Sequence, residues 1–336
     1  MIKVSVVMLT YRHEKFLQQS VEAVLNQQTD FDFELILAND NSPDNTDAIV
    51  EKIKQNHPQA QRLRYYRNST NLGVMPNSRK ALEMVRGEYF ATCESDDYWS
   101  DPSKLQKQVK FLDAHPDYSI CFHNARIEYF DDFGSKDSDF LRSELQDDDL
   151  LNPWKEQKTF GVEDLIGEDE IWFMATASLM IRSSAFFPFP DWLEKSKSGD
   201  IPILILSAKN GKIGYLPEVM AVYRKHAGGA SLTDNKKDEK FLRNRIFMYK
   251  ELNKATGFSF KKSFERNIAR YYFMLLGASQ YENHYFKKLG PALKYLQLTF
   301  PQIPHKKELI RDHLLPPFLI RLYAGFKKAL GLWKED

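Results

Sequence analysis

The chain has 336 residues, 43% hydrophobic and 28% charged, with 47 Lys and Arg against 46 Asp and Glu. That length suits one elaborated α/β domain or two small ones, and a net charge of +1 supplies no field that would draw nucleic acid. No run approaches the ~20 apolar residues of a spanning helix, and MIKVSVVMLTYRHEKF lacks the length and cleavage site of a secretory leader. The expected compartment is the cytoplasm, and the two cysteines, Cys93 and Cys121, are expected as reduced, packed thiols in strand-like runs.

In chain order, VSVVML (Val4 to Leu9) is a short apolar run with β-branched residues, the pattern of a strand buried on both faces. Leu17, Val21, Val24 and Leu25 then follow helical spacing. FELILA (Phe33 to Ala38) predicts a second strand, and NDNSPDNT is a turn and cap cluster that launches a helix around Ile49, Val50 and Ile53. LRYY (Leu63 to Tyr66) predicts a third strand, NLGVMPN a turn into a helix with Ala81, Leu82 and Val85, and EYFATC a fourth strand. This alternation predicts parallel strands joined by right-handed crossovers, a doubly wound sheet. YSICFH (Tyr118 to His123) and ASLMIR (Ala177 to Arg182) read as further strands, separated by an acidic, poorly periodic stretch, Asp131 to Thr159, that is either a flap or a solvated insertion. From about Lys236 the apolar residues follow helical spacing, with turn breaks at Gly257, Gly290-Pro291 and Pro316-Pro317. The division expected is a catalytic domain over 1–232 and a helical region over 233–336.

Ligands of doubly wound sheets bind outside the carboxyl ends of the strands. Three polar groups fall there: Thr10-Tyr11-Arg12-His13, Asn39-Asp40-Asn41-Ser42 and Glu94-Ser95-Asp96-Asp97. So many carboxylates on one edge repel one another, and a hard divalent cation with oxygen ligands, bridging phosphates, would offset that. Tyr11 offers a face for a base to stack on, and Asp40 an acceptor for a base N–H or a ribose hydroxyl. Asp44 and Asp101 read as ordinary helix caps; Asp96 and Asp97, adjacent and straight after a buried strand, cannot both be caps.

The order VSVVMLTY, ANDNSPD, NLG and GEYFATCESDDYW resembles the inverting family 2 glycosyltransferases of the GT-A fold, over about Met1 to Ser231. The resemblance implies an α/β, mostly parallel GT-A sheet and transfer of a sugar from a nucleoside-diphosphate sugar, a UDP-sugar first among donors, to a hydroxyl of a glycan or lipid-linked glycan. Thr10, Tyr11 and Asp40 would hold the nucleoside, with Arg79 near the donor. Asp96 and Asp97 would carry Mn2+ or Mg2+ against the diphosphate. Glu94 stands where the family usually has Asp, and Arg12 where it usually has Asn.

Further on, KSGDIPILILSAKNGKIGYLPEVMAVYRKHAGGAS resembles the family's segment in which an acid opens a helix, followed by a strand and a Tyr-Arg-x-His turn. Asp200 is the matching acid and the expected general base; as an N-cap ahead of Pro202 it would have a structural role as well. His226 or Arg224 would touch phosphate or metal, and Trp172 would line the acceptor pocket or pack in the core. At the C-terminus, Leu319, Leu322, Tyr323, Phe326, Leu330 and Trp333 form one helical stripe with cations mostly off it, suited to an anionic bilayer surface at the inner face of the plasma membrane, or to packing on the helical domain or a second subunit. A nucleotidyltransferase is the competing enzyme class, but such enzymes usually open with a Gly-rich phosphate loop after strand one, and LTYRHEKF has no glycine. A carbohydrate-binding protein is the non-enzymatic alternative; it would not need Asp96, Asp97 and Asp200 together.

Overall fold

The structure, a computed structural model, describes residues 1–130, 138–139, 159–166, 173–229, 238–281, 284–316 and 322. The chain divides into two compact units, Met1–Asp234 and Asn235–Asp336.

The first unit is built on one ten-stranded sheet. Its strands are β1 (Val4–Thr10), β2 (Phe33–Asn39), β3 (Leu63–Arg67), β4 (Tyr89–Thr92), β5 (Tyr98–Trp99), β6 (Tyr118–Tyr129), β7 (Ser138–Asp139), β8 (Thr159–Phe160), β9 (Met180–Arg182) and β10 (Lys212–Lys225). The order is β3-β2-β1-β4-β9-β6-β10-β5, with β7 on β6 and β8 on β10. β1 pairs in parallel with β2 and β4, β2 with β3, and β6 with β10. Between the two parallel blocks, β9 runs antiparallel to both β4 and β6.

Crossovers α1 (Glu14–Leu25), α2 (Thr46–Asn56) and α3 (Val74–Glu83) link the first four strands, and α4 (Lys104–Ala114) leads into β6. All seven residues of β2 are buried, as a strand covered on both faces requires. Leu17, Val21, Val24 and Leu25 of α1 join Val4, Val6, Met8 and Leu35 in one core; each such side chain stabilises by roughly 1.5–3 kcal/mol. The N-cap positions of α2 and α4 belong to Asn45 and Ser103, so Asp44 and Asp101 brace the helix starts from just outside rather than cap them. Asp44 accepts from the Glu14 and Thr46 N–H groups, serving α1 and α2 together, and Asp101 accepts from Ser103 N–H ahead of α4.

Several expectations are corrected. The strand expected from Ala177 begins at Met180, because Thr176–Ser178 form a 3-10 turn in which the Ser178 hydroxyl donates to Ala175 O at 2.6 Å. α3 ends at Glu83, short of Val85. The strand from Tyr118 continues past His123 to Tyr129, carried by its long parallel pairing with β10. In the second unit, α6 (Glu239–Ala255) and α7 (Lys261–Leu276) precede α8 (Tyr285–Thr299), α5 being Asp200–Ala208 of the first unit. Gly290-Pro291 does not break α8, which runs through both residues. Pro291 lacks a donor there, but Ala292 and Tyr295 are buried with Ala269 and Leu276 of α7, and this packing holds the helix together. The stretch Asp131 to Thr159, apart from 138–139 and Thr159, and the C-terminal stripe, apart from Leu322, lie outside the described residues. No helix among the described residues is long and apolar enough to cross a membrane.

Both cysteines are free and buried, and beside them lies a lysine that sequence reading passed over. Lys104 is fully buried at the start of α4, its ammonium 3.9 Å from the Trp99 ring centroid and donating to Gln108 Oε1 at 2.8 Å. Burial draws its pKa down from 10.5 to about 7. Because the folded value lies below the unfolded one, stability rises with pH between those values; below about 7 both states are charged and the full cost of burial is felt. Lys104→Met is therefore expected to stabilise the protein near neutral pH by about 1–4 kcal/mol, less what Gln108 loses with its donor. Denaturant titrations near neutral pH and about pH 10 check this, since the gain must shrink as the wild-type ammonium deprotonates. A gain independent of pH would show that the buried charge is not its source.

Candidate active site

The carboxyl ends of β1, β2, β4 and β10 bring most of the expected residues together. After β1 the chain turns through Arg12 at φ 62, a left-handed conformation that is costly for a residue with a Cβ. Ser42, after β2, holds that turn by accepting from Arg12 N–H at 2.8 Å, and Asn41 beside it is also left-handed at φ 56. The half-buried Tyr11 ring carries the Arg12 guanidinium at 5.2 Å. Thr10 is buried, and its hydroxyl has no hydrogen-bond partner.

Asp40 does structural work not foreseen from sequence. One oxygen accepts from Asn68 at 3.0 Å and Leu72 N–H at 2.8 Å, the other from Gly73 N–H at 2.8 Å. The carboxylate thereby fixes the NLG turn, where Gly73 sits at φ 86 as the N-cap of α3. A base or ribose would meet Asp40 only through lone pairs left over from these bonds.

From Ala91 to Trp99 burial alternates, with Cys93, Ser95, Asp97 and Trp99 buried and Thr92, Glu94, Asp96 and Tyr98 half-buried. In the turn between β4 and β5, Glu94 and Asp96 are thus the more accessible acids and Asp97 the buried one. Asp97 is 2% exposed and accepts from Arg224 N–H at 2.9 Å, locking this turn to β10. Burial, then Asp96 and Glu94, push its carboxyl well above the ordinary value. The two adjacent acids thus make different contacts, Asp96 with His226 and Asp97 with Arg224 N–H.

Asp96 Oδ2 lies 3.1 Å from His226 Nε2 and 3.7 Å from His13 Nε2. Burial opposes its ionisation, but the His226 hydrogen bond and His13 outweigh it and hold the carboxyl below its ordinary value. Glu94 goes the other way: burial first, then Asp96 and Asp200, push it up to about 8. Thr176 hydrogen-bonds Glu94, while Oε2 is buried without a partner. Burial and mutual repulsion thus raise Glu94 and Asp97, while Asp96 alone of this trio is held below its ordinary value.

Arg224 is buried at 3% exposure, which argues against phosphate contact by its side chain. It donates to Asp96 O at 3.0 Å and to Gln19 Oε1, and packs on Tyr98 at 4.4 Å and Phe16 at 5.1 Å. These bonds fix the turn that delivers His226 to Asp96. Asp200 is the exposed first residue of α5; Gly199, not Asp200, occupies the N-cap position, so the capping role expected for Asp200 is not observed. Arg79 is drawn into ion pairs with Glu83, Asp191 and Glu194 rather than into this cluster. Trp172 lies outside the described residues.

His13 is the residue whose role sequence reasoning missed. It stands at the N-cap position of α1, with Nδ1 2.8 Å from Ser95 Oγ. Burial lowers its pKa, with Asp96 opposing, so the ring is neutral at neutral pH. The ligand atoms of His13, Asp96 and His226 lie within 4.8 Å of one another, close enough to hold one metal ion. One carboxylate and two imidazoles fit a divalent first-row ion.

Comparison with known proteins shows the family and the fold. A family model described as Glycosyl transferase family 2 matches residues 5–186. An uncharacterized protein of Mycobacterium tuberculosis is 36% identical over 236 residues, 69% of this chain and 62% of the relative; the chain thus spans about three-fifths of that relative's length. A UDP-Glc:alpha-D-GlcNAc-diphosphoundecaprenol beta-1,3-glucosyltransferase of Escherichia coli is 31% identical over 125 residues, 37% of this chain and 47% of its own. Among solved structures, S. aureus TarS 1-349 in complex with UDP-GlcNAc superposes with a TM-score of 0.56 at 18% identity, covering 99% of this chain and 93% of TarS. At that identity the likeness is one of fold: the GT-A-like α/β sheet with a helical C-terminal region.

Proposed function

The chain belongs to glycosyl transferase family 2, and from that premise we propose that it transfers a sugar, with inversion, from a nucleoside-diphosphate sugar to a hydroxyl of a glycan or lipid-linked glycan. The observation that carries this reading is the meeting of Asp96 and His226, from β4 and β10, beside a Glu94 that feels the charge of Asp200. A metal-competent pair thus lies at the strand ends, within range of the Asp200 charge that Glu94 feels.

In the proposed reaction the acceptor oxygen attacks the anomeric carbon from the face opposite the diphosphate. The new C–O bond forms as the bond to the phosphate oxygen breaks, and Asp200 takes the acceptor's proton. Exposure of Asp200 suits an acceptor too large to be enclosed. Asp96 and His226 would hold Mn2+ or Mg2+, which when bound supplies positive charge against the departing diphosphate. Tyr11 would stack on the base, Thr10 would offer its unpartnered hydroxyl nearby, and Asp40 would order the NLG turn beneath the nucleoside. Asp97 and Arg224 would act as positioning residues for Asp96 and His226.

A UDP-sugar is the first donor to test, since the solved relative above is a complex with UDP-GlcNAc and the E. coli relative is named for UDP-Glc. The C-terminal stripe expected to meet a bilayer lies, apart from Leu322, outside the described residues, so the acceptor class rests on likeness to that diphosphoundecaprenol-linked glucosyltransferase. The experiment is a nucleotide-sugar panel with Mn2+, read as slow nucleoside diphosphate release. Release that stops in EDTA and returns with Mn2+ is expected. Release undiminished in chelator would overturn the metal dependence, pyrophosphate from a nucleoside triphosphate and a sugar phosphate would mark a nucleotidyltransferase, and a product of retained anomeric configuration would end the single-displacement scheme.

A further inference from the structure

The geometry points to His13 as a third protein ligand, which with Asp96 and His226 forms a two-histidine, one-carboxylate centre that selects Mn2+ or a similar first-row ion over Mg2+. The inference deepens the function proposed above and rests on it for the identity of the site.

Three separate segments converge on this point, from the ends of β1, β4 and β10. The separations from Asp96 Oδ2 to the two Nε2 atoms, 3.1 and 3.7 Å, are those of neighbouring donors around an ion with bonds of about 2.0–2.2 Å. The His13 ring is aimed. Ser95, fully buried, fixes Nδ1 and leaves Nε2 toward Asp96, the arrangement in which a metal-bound imidazole is oriented through its other nitrogen. Ser20 in turn donates to Ser95 O at 2.9 Å and Asp97 O at 2.5 Å, tying α1 to the same turn. His226 is braced by Phe16 at 4.8 Å and meets the His13 ring edge-on at 5.9 Å. A simple His–Asp hydrogen bond would need one imidazole; here two nitrogens face one carboxylate.

Selectivity follows from the donors. Mg2+ prefers all-oxygen surroundings and gives up water reluctantly, whereas imidazole favours first-row transition ions. A site with a single histidine would tolerate Mg2+ far better than one with two.

The test uses the full chain without nucleotide. Pulsed EPR on bound Mn2+ is expected to count two coordinated imidazole nitrogens in the wild type, a reading that needs no variant to fold. By calorimetry, His13→Ala is expected to lose about tenfold or more in Mn2+ affinity and Ser95→Ala about tenfold, as outer-shell losses usually cost. Mg2+ affinity should change little, so the Mn2+ preference collapses in His13→Ala. His57→Ala, at the far end of α2, should match the wild type. A single imidazole nitrogen, wild-type Mn2+ affinity in a folded His13→Ala, or no Mn2+ uptake by the nucleotide-free chain each overturns the assignment. A single imidazole with intact sugar transfer would leave the proposed function standing, whereas two imidazoles with no turnover of any nucleotide sugar would remove the function and leave the centre.

Discussion

Asp200→Asn is expected to lower turnover by about 10²–10⁴-fold while leaving donor affinity nearly unchanged. The amide keeps the size of the side chain and cannot take the acceptor's proton. The position is a clean one to test, because Asp200 is exposed at the first residue of α5, where Gly199 holds the cap position, and its carboxylate accepts only a long hydrogen bond from the Ser198 hydroxyl, at 3.3 Å, among the described residues. Replacement therefore leaves the fold with little to lose beyond the small contribution of an acid in a helix's first turn, typically 0.3–1 kcal/mol. It also removes a charge that helps raise Glu94, so the Glu94 carboxyl should titrate lower in the variant than its present value of about 8. Steady-state kinetics with a soluble acceptor, alongside calorimetry of donor binding, separate the outcomes. Near wild-type turnover would show that Asp200 is a helix-end acid and nothing more. An equal loss in donor affinity and turnover would place it in binding rather than in proton transfer.

What could be read from the sequence was whatever repeats a local pattern. The strands of the first parallel block announced themselves because each is an apolar run between turn residues, as in VSVVMLT and FELILAN, and the crossover helices because their apolar residues fall on one side. β9 was foreseen in ASLMIR but proved three residues shorter, because its start folds into a 3-10 turn. β5 was not foreseen, for it has two residues and exists through the strand it pairs with. α8 survives Gly290-Pro291 for the same reason: tertiary packing overrode a local breaker. In the site, the acids after β4 were visible as a cluster, but their different contacts depend on which of them the turn buries and on an Arg224 N–H 127 residues away. His13 stood in the polar group after β1 without a role of its own, because its partners, Ser95 and His226, are distant in the chain. Long-range partnership of this kind leaves no local trace.

Asp96→Asn is expected to abolish detectable Mn2+ binding and to lower metal-dependent turnover by about 10²–10⁴-fold, the scale of several kcal/mol of lost charge stabilisation. The same change should also lower thermal stability modestly, because the His226 hydrogen bond and His13 hold the Asp96 carboxyl below its ordinary value, so its ionised form stabilises the fold at neutral pH. Asp97→Ala provides the contrast, because it strands the buried Arg224 N–H that Asp97 accepts at 2.9 Å and should destabilise by about 1–3 kcal/mol. Thermal melts of the two variants with and without Mn2+ decide the matter. Wild type should be stabilised by the ion, Asp96→Asn should ignore it, and Asp97→Ala should start lower yet still respond. If Asp97→Ala loses the response and Asp96→Asn keeps it, the roles assigned to the two neighbouring acids are reversed. If both keep it, the ion binds elsewhere on the chain.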